Sequence, residues 1–176
     1  MNRALVLKVH LILSAVFIPL LLLVPLSGSL YLLGIKGDSE KTEVLTFAAD
    51  VPSAEAEKVL FFRRFFEEQK IDFDFEYIKE TPAELIFRPT SRDHYTAKRK
   101  DGRWTLVQVR PSLLAKLMEL HKGHGPQRLK YVEAVFGIAL ILVLSSGLWL
   151  ALSVAKYRRL TLACALSGAL LFTLLL

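Results

Sequence analysis

Apolar and polar positions fall in separate blocks along this chain. Three long apolar runs stand at Leu11–Leu33, Ala134–Ala155 and Leu160–Leu176, and every Asp and Glu lies between Asp38 and Glu133. A helix rises about 1.5 Å per residue, so the first two runs easily cross a hydrocarbon core of roughly 30 Å and the third just does. The pattern predicts an N-terminal membrane helix (1–34), a polar domain (35–130) and a C-terminal pair of membrane helices (131–176).

Inside the polar block the periodicity changes several times. Val51-Pro52-Ser53 followed by Glu55 and Glu57 reads as a helix start, with Pro in the first turn and acids at the positive end of the dipole. That helix is expected to run to Gln69, with Val59, Phe62 and Phe66 at helical spacing and Phe61 and Phe65 widening the stripe. Ile71–Ile78 alternates Phe73, Phe75 and Tyr77 with Asp72, Asp74 and Glu76, a strand with one wet face. Glu84–Arg88, between Pro82 and Pro89, offers a second strand. "HYTAKRKDGRWTLVQV" gives two more around Asp101-Gly102, a turn pair that tolerates positive φ. A helix over Ser112–His121 leads to the second membrane run. The expected domain is one helix on a three- or four-stranded antiparallel sheet, with Phe61, Phe62, Phe66, Phe73, Phe75, Tyr77, Trp104 and Leu106 as its core. The fold class is thus α+β, anchored by about three membrane helices.

Composition agrees with that division and adds an orientation. The 176 residues are 53% hydrophobic with a formal charge of +6, too apolar for an ordinary soluble domain of this size. Arg3 and Lys8 precede the first run, and Lys156, Arg158 and Arg159 fall in the expected turn between the second and third. Basic flanks stay in the cytoplasm, so the N-terminus is expected inside and the middle domain and C-terminus outside. The first run could alternatively be a cleaved signal sequence, with Ser27-Gly28-Ser29 as the small-residue site. Its length favours a retained helix, because signal h-regions span about 7–15 residues. The lone cysteine, Cys164, sits among Ala163, Ala165, Ser167 and Gly168 and reads as a packing residue between helices.

Candidate chemistry centres on histidines. His10 enters the first membrane run, and His121 and His124 precede the second at a three-residue spacing that can set two imidazoles on one helical face for Zn²⁺ or Cu²⁺. The bland reading, which the lone H-x-x-H does not displace, is a pair of interfacial residues at a helix end, closed by Gly123 and Gly125. Glu119 is expected on a different face. Neither a Gly-x-Ser-x-Gly elbow nor an HExxH motif is present, which leaves a hydrolase without support and no catalytic residue to name. The basic hairpin Lys98–Arg103 lies on the outer side, where lipid headgroups or an acidic protein are expected partners and nucleic acid is not.

The membrane runs also echo one another. A shift of 119 positions lays Ala15-Val16-Phe17 on Ala134-Val135-Phe136, Ser27-Gly28 on Ser146-Gly147, and Leu21, Leu23, Val24 and Leu33 on identical residues, nine of nineteen in all. Leucine-rich helices match easily, so Ala-Val-Phe and Ser-Gly carry the comparison. With opposite directions across the bilayer the two would form an inverted pair.

A histidine entering an apolar helix that ends in Ser-Gly (His10, Ser27-Gly28), a small α+β domain, then "ELHKG" and a helix carrying "LSSGLWL" resembles the PepSY-associated transmembrane helix family. The resemblance implies a bacterial inner-membrane protein whose periplasmic PepSY-like domain binds a partner protein or peptide, as an accessory to transport or iron acquisition. Larger relatives resemble ferric-siderophore reductases, in which intramembrane histidines ligate haem b; the motif-matching residues here are His10 and His121, with His124 beside the latter. This chain departs from the reductase pattern, since no histidine lies inside the second or third run. His10 and His121 are expected at opposite membrane faces, about 30 Å apart. A bis-histidine haem would therefore need His121 with His124, His94 or a second protomer, and would imply a homodimer.

Overall fold

The computed structural model describes residues 2–100 and 102–176, in the order α1 (Arg3–Leu32), β1 (Ser39–Phe47), α2 (Glu55–Glu68), β2 (Tyr77–Glu80), β3 (Glu84–Arg88), β4 (His94–Lys100), β5 (Arg103–Pro111), α3 (Leu113–His121), α4 (Gln127–Leu152) and α5 (Ala155–Leu175). The chain forms two compact units, one from residues up to Leu23 with Val132–Leu176, the other Val24–Tyr131.

In the helical unit, α1, α4 and α5 are each long and apolar enough to cross a bilayer. Their large side chains, such as Leu11, Val16, Ile138, Leu144 and Leu170, point outward and exposed. Lipid requires that arrangement, because a membrane helix satisfies its own backbone and offers apolar side chains to the acyl chains. Phe17 meets Phe136 with ring centroids 5.9 Å apart, and Phe136 and Ala139 are buried. These two phenylalanines are the pair that the 119-residue shift superimposes. The turn between α4 and α5 is shorter than expected. It comprises Ser153 and Val154 only, so Lys156, Arg158 and Arg159 begin α5 instead of preceding it.

The second unit is a five-stranded antiparallel sheet in the order β1-β5-β4-β3-β2. Helix α2 covers one face with the predicted aromatic stripe. Phe62 and Phe66 are buried against Phe87 at centroid distances of 4.9 and 5.2 Å, and Phe66 also meets Phe73 and Phe75. Leu85, Ala97, Trp104 and Leu106 complete this core. Glu55 and Glu57 lie in the first turn of α2, but the helix begins three residues after Pro52, capped by Ala54 without a side-chain bond.

Two expectations about the sheet are corrected. Residues 71–76 are not a strand: Phe73 and Phe75 do pack inward, yet ladder pairing starts only at Tyr77, opposite Arg88. Residues 71–75 are drawn to the α2 aromatics and to Arg63, whose guanidinium binds Asp74 and the Phe75 carbonyl, and the segment reaches β3 only at Glu76, whose amide donates to the Arg88 carbonyl at 2.9 Å. The second correction is β1, a strand that the sequence reading leaves out. Its residues are largely exposed and polar up to Glu43, so it carries no alternating apolar signal until its end. A bulge between Glu43 and Leu45 explains this. One extra residue moves the odd positions from one face to the other, so Lys41 and Glu43 lie on the open side of the sheet while Leu45 and Phe47 join the core. The β4–β5 hairpin is as expected, with Gly102 at φ +77; its turn partner Asp101 lies outside the described residues.

Candidate functional site

The face of the sheet opposite α2 bears a cavity of about 380 Å³, bounded by α3 and by the segment after α1. Its floor follows from strand alternation. Leu85 and Phe87 point into the core, so Glu84, Ile86 and Arg88 of β3 point here, with His94 and Thr96 of β4, Val109 of β5 and Lys41 of β1. Helix α3 closes one side. Ser112 caps it, its Oγ accepting from the Ala115 amide at 3.3 Å, and Gly37 packs so closely that an added Cβ would stand 2.6 Å from that same nitrogen. Met118 and Glu119 of α3, Lys122 and His124 then complete the lining.

Glu119 is the hub. Thr90 Oγ1 donates to its Oε2 at 2.5 Å and itself accepts from Arg88 Nη1 at 2.7 Å; His124 Nδ1 donates to the same Oε2 at 2.8 Å; Lys122 pairs with Oε1. Arg88 Nη1 also lies 3.6 Å from the carboxylate. Burial alone would raise the Glu119 pKa, but the hydrogen bonds from Lys122, Thr90 and His124 and the charge of Lys122 outweigh it and hold the group at about 2. Burial lowers His94 and His124 below the ordinary histidine value, and the charges of Arg88 and, for His124, Lys122 reinforce it against the pull of Glu119. Each donates Nδ1–H to an oxygen, His94 to the Arg92 carbonyl at 2.8 Å and His124 to Glu119. In their neutral forms both therefore keep the Nε2 lone pair.

Arg88 is only 4% exposed, and its Nε is the one buried side-chain nitrogen or oxygen without a hydrogen-bond partner among the described residues. Four cations line the cavity, Lys36, Lys41, Arg88 and Lys122, against two carboxylates, Glu84 and Glu119. The cavity is basic.

The predicted histidines take different places. His121 ends α3, and His124 lies beyond the helix, after a turn in which Gly123 has φ +71. They do not share a helical face; the helix ends between them, which is also how Glu119 comes to face His124. Among the described residues no group of three or more His, Cys, Asp or Glu is arranged to hold a metal ion. His121 instead bonds Ser27 through Nδ1 at 3.1 Å, with its Cε1 3.3 Å from where a Cβ on Gly28 would be. In the helical unit His10 does the same: Nδ1 lies 2.9 Å from Ser146 Oγ and Cε1 3.2 Å from a Cβ built on Gly147. Ser27-Gly28 and Ser146-Gly147 thus each seat one imidazole, the serine binding it and the glycine leaving room.

The serines also settle the tautomers. Ser27 Oγ donates its proton to the Val24 carbonyl and Ser146 Oγ to the Val143 carbonyl, both at 3.0 Å. Their oxygens can then only accept, so His121 and His10 carry Nδ1–H and present Nε2 as a lone pair when neutral. Sequence reasoning named the histidines and the Ser-Gly pairs but did not join them. Arg88 and Thr90 it missed, since in sequence they are an arginine ending a strand and a threonine after a proline.

Apolar helices of membrane-crossing length joined to an α+β unit with one helix on an antiparallel sheet define an α+β membrane protein with a PepSY-like domain. The chain belongs to the PepSY_TM-like family, whose sequence model matches residues 38–176. That match covers the sheet unit from Asp38, α4 and α5, and leaves out α1. No curated protein and no solved structure matches the chain.

Proposed function

We propose that this is a bacterial inner-membrane PepSY-type protein with its N-terminus in the cytoplasm and its α+β unit in the periplasm, where that unit binds a partner protein or peptide as an accessory to transport or iron acquisition. The carrying observation is the free edge of β1 beside the cavity. β1 pairs with β5 on one side only, runs nine residues and contributes Ser39 and Lys41 to the cavity lining. An extended peptide can add to such an edge through main-chain hydrogen bonds while its side chains enter the adjoining cavity. The β4–β5 hairpin cannot offer such an edge, because β4 and β5 each have strands on both sides. Photocrosslinkers at Thr42 and Val44 in intact cells are expected to capture a discrete partner, whereas one at the exposed Leu60 of α2 is not. Equal capture at all three positions, or none at β1, would remove this reading.

The seating of His10 and His121 supports a second reading, a haem b electron-transfer protein or ferric-reductase component. An axial ligand needs an oriented imidazole with Nδ1–H bonded and Nε2 bare, and both histidines have that form. These residues would hold the iron through Nε2, and haem when bound would supply one-electron transfer. Each of these two Ser-Gly seats holds one imidazole, so a second histidine would have to come from elsewhere, His94 or His124 of the same chain or a second copy, and the last of these would make the homodimer. A Soret band that shifts on dithionite reduction and disappears in His121→Ala supports it; a featureless spectrum from folded, haem-supplemented protein rejects it.

A further inference from the structure

We propose that the Arg88 cavity is a binding site for the phosphate of an anionic glycerophospholipid headgroup. The inference is independent of the peptide reading and rests on where the cavity lies and how its charges balance.

Its place is set by the chain. Tyr31 is the penultimate residue of α1, and Lys36 and Gly37 follow within a few residues; on the other side Lys122 and His124 precede α4, which begins at Gln127. The cavity is thus lined on one side by the end of a membrane helix and the residues just after it, and on the other by Lys122 and His124, twelve and ten positions before the apolar run that begins at Ala134. Even fully extended, the four residues from Leu32 to Lys36 reach at most about 14 Å, so Tyr31 and Lys36 lie at or near the headgroup layer. Tyr31 and Lys36 are the residue types that sit at that level, and Lys36 Nζ stands over the Tyr31 ring at 4.8 Å. Leu32, Leu33 and Ile35, between them, are exposed, an apolar margin against which acyl chains can lie.

The cavity's own charges are unbalanced. The buried guanidinium of Arg88 has one carboxylate within reach, and Glu119 is shared with Lys122, Thr90 and His124. Arg88 Nε is unpartnered, and Lys36 and Lys41 add two further positive charges to the lining. A buried donor without a partner is costly and a buried charge more so. A phosphodiester oxygen supplies both the acceptor and the countercharge, in the geometry that guanidinium groups favour. The neutral His94 and His124 add no repulsion to the remaining carboxylate, Glu84, and add Nε2 atoms able to bind headgroup hydroxyls.

The test uses the full chain in detergent, with dihexanoyl phosphatidylglycerol, dihexanoyl phosphatidylcholine and inorganic phosphate as probes, read by lipid retention in native mass spectrometry and by thermal shift. The glycerol lipid is expected to be retained and to stabilise the protein more than the choline lipid, with inorganic phosphate ineffective at the same concentration. Lys36→Gln and Lys41→Gln should each weaken retention about fivefold, and Arg88→Gln should abolish it. Lys36 and Lys41 are exposed, so their variants keep the test informative even where Arg88→Gln does not fold. Arg64→Gln, on helix α2 at the opposite face of the sheet, should leave retention unchanged and so separates the cavity from general surface charge. Equal retention of the two lipids, retention unaffected by Lys36→Gln and Lys41→Gln, inorganic phosphate acting as well as lipid, or displacement of lipid by a peptide with a free C-terminal carboxylate would each overturn the proposal.

Discussion

Replacing Glu119 by glutamine tests the charge cluster most directly. Glutamine keeps the size of the side chain but, like a protonated carboxyl, offers one acceptor oxygen where the carboxylate offers two. The native group titrates at about 2 against an ordinary 4.5, and at about 1.4 kcal/mol per tenfold that difference stabilises the ionised fold by about 3 kcal/mol at neutral pH. Because the native value is the lower one, the contribution is complete above about pH 5 and disappears as the pH falls towards 2. Glu119→Gln should therefore cost about 3 kcal/mol at pH 7, and the difference from the parent should close between pH 5 and 2. The assay is urea unfolding of the full chain in detergent, followed by Trp104 fluorescence in a Trp149→Phe background so that only the sheet unit reports. Equal urea midpoints at pH 7, or a difference that stays constant down to pH 3, would refute the assignment of Glu119 as hub.

Gly37→Ala should destabilise by about 2–4 kcal/mol, because its φ of +75 disfavours a side chain and the new Cβ would meet the Ala115 nitrogen at 2.6 Å and Ser112 Oγ at 2.8 Å; Gly102→Ala, with equal φ but open space, should cost only about 1 kcal/mol. Calorimetry of both variants checks the contrast. Phe66→Ala removes the ring that Phe73, Phe75 and Phe87 surround and should cost about 3–5 kcal/mol, read by the same urea titration. Burial holds His94 and His124 below 6.5, so the unfolded chain takes up more protons as the pH falls through that value and stability declines below it; His94→Gln with His124→Gln should flatten the stability profile between pH 7 and 5. Ser146→Ala should cost about 1 kcal/mol in thermal stability and remove the Nδ1–H signature of His10 from the imidazole nitrogen spectrum, while Ser27→Ala does so for His121.

Much of the fold was legible because its signals are local. Long apolar runs mark α1, α4 and α5; a helical aromatic stripe marks α2; Pro82 and Pro89 bracket β3, whose limits the structure reproduces at Glu84 and Arg88. What was hidden depends on pairing across long separations. β1 reads as polar until its bulge, and its strand character comes from β5, some sixty residues on, as in Thr46 opposite Thr105. Residues 71–76 alternate like a strand, but alternation reports one buried face and cannot say whether that face meets a sheet neighbour or, as here, helix α2. The cluster at Glu119 was hidden for the same reason. Helical spacing sets Glu119 and His124 on different faces, and only the end of α3 at His121 lets the chain turn back and join them.

The Ser-Gly pairs show how a weak sequence signal gains physical content from structure. In sequence they supported a 119-residue repeat and a guess about close helix packing. In the structure both have one local form: a serine spending its proton on the carbonyl three residues back, a glycine whose missing Cβ makes room, and a histidine from another segment donating to the serine. Chance leucine matches cannot produce that agreement, since it involves residues outside the aligned runs, His10 and His121. Nor are His10 and His121 equivalent under the shift, which would carry His10 to Leu129. The two seats therefore share a chemistry and not merely a register, and Phe17 against Phe136 shows matched positions of α1 and α4 meeting each other. Antiparallel helices related by a two-fold axis bring equivalent residues together only near that axis and place the rest at opposite ends. Within the helical unit, the contact of Phe17 with Phe136 is what an inverted pair would require near its axis.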